Sequence, residues 1–210
     1  MNEPAAPLGL PGLAERLAAA APSCGPARLV AVDGHAGSGK STLAGLLSAQ
    51  LGGAPVLHLD DVAAHGEFFG WTERLAEQVL APLARGATAR FEVYDWARRT
   101  FARTGVLRPA PVVLVEGVGA GRRALRPSLA CLLWMDLDPA ASWARGRLRD
   151  GPGLAGFWQE WTRAERAHFA RDPSRPFADF LVREAASGYE ACRRSTRSGT
   201  QEDGPFRDAP

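Results

Sequence analysis

Five short apolar runs punctuate the chain, and each has the length of a buried strand. They carry little polar alternation, which is typical of parallel strands that helices cover on both faces. The runs span residues 29–33, 56–60, 112–116, 131–136 and 180–182. Patterns of helical period lie between and around them, over residues 13–20, 41–51, 73–84, 139–149 and 154–171. This alternation predicts an α/β fold with one parallel sheet of about five strands, flanked by helices on both faces.

Two terminal segments depart from this pattern. Residues 1–27 are rich in alanine and proline and predict an N-terminal extension with one short helix. Residues 193–210 are polar and contain glycine and proline, which predicts a disordered tail. The alternating strands and helices therefore assign a single domain to residues 28–192.

Composition and charge exclude several classes of function. The 210 residues are 46% hydrophobic and 23% charged, an ordinary globular balance, and the formal net charge of +2 gives no electrostatic reason to expect nucleic acid or a membrane as a partner. No apolar run reaches the roughly 18 residues of a membrane helix, and the N-terminus lacks the basic region of a signal peptide. Three widely spaced cysteines predict neither a disulfide framework nor a zinc site, so we expect a cytoplasmic protein. A homo-oligomer is compatible with the sequence.

The strongest motif follows the first predicted strand. It is G-x-x-x-x-G-K-S from Gly34 to Ser41, a P-loop whose backbone N–H groups cradle phosphates while the next helix offers its N-terminal dipole. Lys40 is the only lysine among the 25 basic residues, which suits a slot that the planar fork of arginine does not fit. The motif predicts a P-loop NTPase fold that binds ATP, or GTP, with Mg²⁺. The nucleotide-binding residues are Gly34, His35, Ala36, Gly37, Ser38, Gly39, Lys40, Ser41 and Thr42.

Acidic residues end three of the other strands. Because ligands bind at the carboxyl edge of a parallel sheet, these acids are expected to lie beside the P-loop. Glu116 has the position of a Walker B acid and, with the Ser41 hydroxyl, would hold Mg²⁺. Asp60 is the candidate general base for an acceptor hydroxyl, and the alternative is a helix N-cap. Asp61 is the better N-cap candidate of the pair and is also a candidate acceptor contact.

The residues resemble the uridine kinase branch of P-loop kinases, which includes phosphoribulokinase and bacterial pantothenate kinase. The resemblance runs from about residue 29 to residue 182. Beyond the P-loop and Asp60, its motifs are Tyr94-Asp95-Trp96, VVLVEG at 112–117, MDLDP at 135–139, RLRD at 147–150 and Ala178-Asp179.

The resemblance implies a role for several residues. It implies that Asp60 is the catalytic aspartate, that Glu116 is associated with Mg²⁺, and that Tyr94 and Arg99 lie near the acceptor. Trp96 is a candidate for stacking on the acceptor. Arginines of a lid over residues 145–157 would fold onto the triphosphate, and the catalytic candidates among them are Arg145 and Arg149, with Arg147 between them.

The sequence therefore predicts an ATP-dependent phosphotransferase that acts on a hydroxyl of a small metabolite, a nucleoside or a related acceptor. The segment between Asp60 and Trp71 is shorter than in uridine kinases, and a second arginine group after Asp150 is missing, which leaves the acceptor open. One alternative is a nucleoside monophosphate kinase or an antibiotic-modifying phosphotransferase, served by Arg98, Arg99 and Arg103. Another is an ATP-binding switch protein that transfers no phosphate.

Two further features of the sequence give weaker indications of a functional site. Trp158, Trp161, Glu165 and Phe169 follow helical spacing, which favours core packing over a ligand site. His35 lies inside the P-loop, where its backbone is expected to matter more than its ring.

Overall fold

The main sheet has the predicted α/β architecture but contains one strand more than expected. The computed structural model describes residues 6–186 and 188–194. Within these residues the strands are β1 (Arg28–Asp33), β2 (Val56–His58), β3 (Ala89–Asp95), β4 (Thr100–Leu107), β5 (Val112–Glu116), β6 (Cys131–Met135), β7 (Phe180–Ala185) and β8 (Gly188–Arg193). The six-stranded sheet has the order β2-β5-β1-β6-β7-β8, in which all neighbours are parallel except β7 and β8.

Helices cover the sheet and carry some of the groups that line the site. They are α1 (Leu10–Ala18), α2 (Lys40–Gln50), α3 (Thr72–Leu75), α4 (Ala81–Ala84), α5 (Pro139–Asp150) and α6 (Ala155–Arg171). A π-helical segment, Ala76–Leu80, joins α3 to α4, so the helix predicted over residues 73–84 is continuous but irregular. Asp138 caps α5 by accepting hydrogen bonds from the backbone N–H groups of Ala140 and Ala141.

Alternate residues of the central strands supply two separate cores. On β1, Leu29 and Ala31 point to the face covered by α3 and α4, whereas Val30 and Val32 point to the face covered by α1 and α2. Strands β5 and β6 are buried along their whole length. Burial on both faces explains why these strands read as continuous apolar runs. It also fixes the carboxyl ends of β1, β2 and β5 side by side, where the P-loop begins.

A two-stranded antiparallel hairpin of β3 and β4 lies apart from the main sheet, and the sequence did not predict it as strands. Phe91 and Val93 point into the core, while Glu92 between them is exposed. This alternation is typical of a strand with one solvated face. Strand β4 is largely exposed, so its sequence carries no apolar signal.

The end of β2 also differs from the prediction. The strand ends at His58, and residues Leu59–Asp61 form a 3₁₀ turn, so Asp60 follows the strand instead of ending it. The parallel register sets His58 beside Glu116 of β5. The turn directs Asp60 towards the same edge of the sheet.

The terminal segments pack against the sheet. Leu8 exchanges two backbone hydrogen bonds with Ala191 of β8, and Leu13 and Leu17 of α1 are fully buried. Strand β8 extends through Arg193, a residue that the sequence assigned to the tail. The rest of the predicted disordered tail, residues 195–210, lies outside the described residues.

Within the described residues, no helix combines the length and the apolar character that crossing a membrane requires.

Candidate active site

The P-loop begins where β1 ends and packs tightly against α5. Gly37 has a φ of +84°, and a Cβ atom there would collide with the carbonyl oxygen of Ser142 in α5, so only glycine fits. Lys40, the first residue of α2, is nearly buried and its Nζ donates to the His35 carbonyl at 3.0 Å. The lysine thus curls over its own loop, at the helix N-terminus where phosphate groups bind in such loops.

A cleft of about 480 Å³ opens beside the P-loop. It joins the ends of β2 and β5 to the two helices α5 and α6. The predicted site residues that line it are Ala36, Gly37, Gly39, Lys40, Ser41, Thr42, Asp60, Trp96, Glu116, Arg145 and Arg149. The predicted site residues that do not line it are Gly34, His35, Ser38, Asp61, Tyr94 and Arg99.

Ser41 and Glu116 form an oxygen pair on the floor of the cleft. The Ser41 Oγ donates to Glu116 Oε1 at 2.9 Å, and His58 Nδ1 lies 2.5 Å from the same oxygen. Burial opposes ionisation of Glu116, but the hydrogen bond from His58 and the charge of Lys40 hold the pKa of this carboxyl below its ordinary value. The hydrogen bond to Glu116 likewise raises the pKa of His58. The pair is therefore an anionic oxygen site with a hydroxyl beside it.

Ser41 and Glu116 have the chemistry to bind an Mg²⁺ ion that is also bound by phosphate groups. Mg²⁺ prefers hard oxygen ligands and usually keeps waters and substrate phosphates in its shell. Among the described residues, no group of three or more His, Cys, Asp or Glu side chains is arranged to hold a metal. Ser41 and Glu116 would therefore hold the ion only together with the phosphates of a nucleotide.

Asp60 lies across the cleft from the P-loop. Its side chain is open to the solvent of the cleft, yet it is surrounded by protein atoms, and this desolvation, with the charge of Glu116, raises its pKa. Lys40 and His58 act in the opposite direction. A carboxylate with a raised pKa is a better proton acceptor than an ordinary surface aspartate.

Aromatic side chains line much of the cleft around Asp60 and the P-loop. Trp96 at the end of the β3–β4 hairpin donates from Nε1 to the Asp60 carbonyl oxygen at 3.0 Å. Its ring lies 6.2 Å from that of Phe157 and 4.7 Å from that of His65. Phe157, Trp158 and Trp161 complete the lining on the α6 side. Thus the two tryptophans that the sequence assigned to core packing also face the cleft.

The other predicted acceptor contacts are set back from the cleft. Tyr94 is buried, and its hydroxyl lies 3.2 Å from His65 Nδ1, behind Trp96. Arg99 is exposed in the hairpin turn with a φ of +54°. Asp61 is half-buried at the end of the 3₁₀ turn, where burial raises the pKa of its carboxyl.

Two of the three arginines predicted to form a lid line the cleft, and both are paired with carboxylates. Arg145 binds Glu184 of β7 at 3.0 Å, and Arg149 binds Asp150 at 2.6 Å. Asp150 also accepts from Trp158 Nε1 at 3.1 Å. Arg147 points to solvent and is not among the lining residues. The helix therefore directs alternate basic side chains to the cleft and away from it.

Sequence reasoning missed three residues that shape the site. His58 could have been found from strand order, because β2 and β5 are neighbours whose register pairs it with Glu116. Asp33 is fully buried at the end of β1 and accepts from the backbone N–H groups of Gly34, Gly119 and Gly121 at 2.7–2.8 Å. Glu165 is buried behind the P-loop, and no local pattern in the sequence signals its contacts.

Comparison with solved structures identifies the fold. A protein from Bacillus stearothermophilus described as a possible uridine kinase is 22% identical, covering 72% of this chain and 90% of its own, with a TM-score of 0.53. A protein from Silicibacter sp. TM1040, provisionally named a fructose transport system kinase, is also 22% identical, covering 80% of this chain and 90% of its own, with a TM-score of 0.50. No protein-family profile and no curated protein sequence matches the chain. The chain has the fold of the uridine kinase-like P-loop kinases.

Proposed function

We propose that this protein is an ATP-dependent phosphotransferase that moves the γ-phosphate of ATP to a hydroxyl of a small metabolite. The observation that carries the proposal is the placement of three groups around one cleft: Lys40 with the P-loop, the Ser41–Glu116 oxygen pair, and Asp60. These are the parts that phosphoryl transfer needs, since its catalysis rests on positioning and on charge stabilisation. Both similar structures carry the name of a kinase, which supports the proposal.

Each group has a defined part in the transfer. The P-loop amides and Lys40 would bind the β- and γ-phosphates, and Ser41 and Glu116 would hold the Mg²⁺ that accompanies the nucleotide and neutralises part of its charge. Asp60 accepts the proton of the acceptor hydroxyl while the oxygen of that hydroxyl attacks the γ-phosphorus. The bond between the γ-phosphorus and the bridging oxygen breaks, and ADP leaves. Arg145 and Arg149 stabilise the charge on the phosphoryl group.

The acceptor is proposed to be an uncharged molecule with a flat or apolar face, a nucleoside or a related compound. Beside Asp60 the cleft is lined by the partly exposed rings of Trp96 and Phe157, which offer surfaces for stacking. The basic residues that line the cleft, Lys40, Arg145 and Arg149, are all assigned to the triphosphate.

The alternative acceptors have less support. A nucleoside monophosphate needs cationic groups opposite the P-loop, but Arg98, Arg99 and Arg103 are not among the lining residues. A switch protein without transfer needs no carboxylate at Asp60 and no arginines on a lid.

A panel of acceptors tests the proposal. ADP release would be measured with MgATP and, in turn, nucleosides, simple sugars, nucleoside monophosphates and aminoglycosides. The proposal expects the largest stimulation from a nucleoside or a related hydroxyl compound. Stimulation by monophosphates alone would overturn the choice of acceptor, and no stimulation by any hydroxyl compound would favour the switch protein.

A further inference from the structure

A single buried carboxylate connects the P-loop to both helices behind it. Glu165 of α6 is fully inaccessible and lies directly behind the loop. Its Oε1 is 2.6 Å from His35 Nδ1, and its Oε2 accepts from the backbone N–H of Ala36 at 3.3 Å. An ionised carboxylate only accepts hydrogen bonds, so His35 must donate from Nδ1. The side chain of Glu165 thus binds two successive residues of the phosphate-binding loop.

The same carboxylate binds α5, the helix that carries the predicted lid arginines and is called the lid helix below. The indole Nε1 of Trp143 in α5 donates to Oε1 at 3.0 Å, and that of Trp161 in α6 donates to Oε2 at 2.7 Å. Burial acts against ionisation of Glu165, but the His35 hydrogen bond, the Trp143 N–H and the charge of Lys40 hold its pKa below the ordinary value. Four donors therefore satisfy the buried charge of Glu165, as a carboxylate away from solvent requires.

The ring of His35 is also packed among aromatic side chains. It meets Trp134, Trp143 and Phe169 edge-on, with ring centroids 5.1–5.7 Å apart. Its side chain is therefore packed on the far side of the loop from the cleft. The side chains of Glu165 and His35 therefore contact the P-loop on one side, while its residues Ala36, Gly37 and Gly39 line the cleft on the other.

We propose that Glu165 and His35 are positioning residues for the nucleotide, holding the P-loop backbone in its phosphate-binding shape and in register with the lid helix. Neither side chain lines the cleft, so neither touches the reacting atoms. The amides of the loop bind phosphate only when they converge on it, and small displacements of such groups are costly. The inference rests on the proposed nucleotide site but not on the identity of the acceptor.

A pair of substitutions at His35 separates hydrogen bonding from packing. His35→Phe keeps a ring among Trp134, Trp143 and Phe169 but removes the donor to Glu165. His35→Asn loses the ring but keeps an N–H at the position of Nδ1. The inference expects His35→Phe to weaken MgATP binding about tenfold and His35→Asn to stay within about threefold of the wild-type Kd. If packing alone mattered, the order would be reversed.

Glu165→Gln tests the carboxylate itself, measured by calorimetric titration of the full chain with MgATP. We expect about tenfold weaker binding, a raised KM for ATP and little change in the KM for the acceptor. The double variant with His35→Phe should lose less than the sum of the two single variants, because both substitutions act on the hydrogen bond between His35 and Glu165. The matched control is Asp172→Asn, a carboxylate that binds Arg126 and the Arg123 N–H outside the cleft and is expected to keep the wild-type Kd.

Three results would overturn the inference. The first is wild-type affinity in folded Glu165→Gln. The second is tighter binding in that variant, which would mean that repulsion between Glu165 and the phosphates dominates. The third is equal loss in the Asp172→Asn control. If the wild-type chain itself fails to bind MgATP, both the proposed function and this inference fall.

Discussion

At the scale of single residues, lysine at position 40 stands out among the basic residues of the chain. The chain uses arginine at its 24 other basic positions, yet it keeps lysine where a compact charge must curl over the P-loop. The ammonium group of lysine is small, whereas the guanidinium is a wide planar fork. The two cations are therefore not interchangeable at this position.

Lys40→Arg is expected to lower kcat/KM for phosphoryl transfer about 100-fold, although the formal charge is unchanged. The guanidinium would displace the loop or the phosphates. Steady-state kinetics on the acceptor found in the panel would measure the loss, with the exposed Arg147→Lys as the reverse substitution for comparison. Activity within threefold of wild type in Lys40→Arg would contradict this explanation of the lone lysine.

At the scale of elements, α5 is proposed to act as a lid because it brings two arginines to the cleft and leaves a third in solvent. Arg145 and Arg149 are each paired with a carboxylate at the rim, Glu184 and Asp150. These are exposed pairs, which contribute little to stability and exchange readily for a stronger anion. A triphosphate would offer such an anion.

Arg145→Ala and Arg149→Ala are each expected to lower kcat about tenfold or more, because they remove cations from the developing charge. Arg147→Ala on the same helix should leave kcat near the wild-type value. The comparison controls for helix propensity, since all three changes are to alanine. An equal effect of all three would mean that α5 contributes only structure.

Helix α6 contains a buried histidine that should make stability depend on pH. Desolvation, together with the charge of Arg122, lowers the pKa of His168 to about 4. Its ring stacks on Phe69 at 4.3 Å, and its Nε2 is buried without a partner among the described residues. Between the unfolded pKa of about 6.5 and pH 4, only the unfolded state binds this proton. The free energy of unfolding therefore falls as the pH falls through that window.

The titration of His168 alone is expected to lower the free energy of unfolding by about 3 kcal/mol between pH 7 and pH 4. His168→Phe keeps the stacking on Phe69 and removes the titration. Urea unfolding at several pH values would show a flatter slope for the variant across the window. Identical slopes for both proteins would place the acid sensitivity elsewhere.

At the scale of the whole molecule, the sequence predicted the α/β sheet, but it did not predict the groups whose positions depend on tertiary contacts. Strands β1, β5 and β6 are buried on both faces, so their signal is local and strong. The hairpin β3–β4 has one solvated face, and β8 is the antiparallel edge strand, so both carry weak local signals.

The contact between His35 and Glu165 shows why a local sequence pattern does not predict every residue that shapes the site. The two residues are 130 positions apart, and their contact exists only because α6 packs behind the P-loop. In sequence, Glu165 belongs to a helical stripe of aromatic residues, and that spacing gives no hint of the donors around it. The sequence favours the backbone of His35 over its ring, yet the ring makes the shortest of the hydrogen bonds to Glu165.

Binding of nucleotide should stabilise the whole fold. MgATP at about 100 times its Kd raises the free energy of unfolding by about 2.7 kcal/mol. For a chain of this size the corresponding rise in Tm is about 5–10 °C. Thermal unfolding with and without MgATP measures it, and Lys40→Ala should abolish the shift. A rise that persists in that variant would place the nucleotide outside the P-loop.

The proposal that Asp60 and the P-loop together transfer phosphate can be tested in a single turnover. Labelled γ-phosphate would be followed from ATP to the acceptor in a single turnover, for wild type and Asp60→Asn. The account predicts that the variant transfers about 100-fold or more slowly while its Kd for MgATP stays within about threefold. Transfer at nearly the wild-type rate in Asp60→Asn would remove Asp60 as the base and contradict the proposed mechanism.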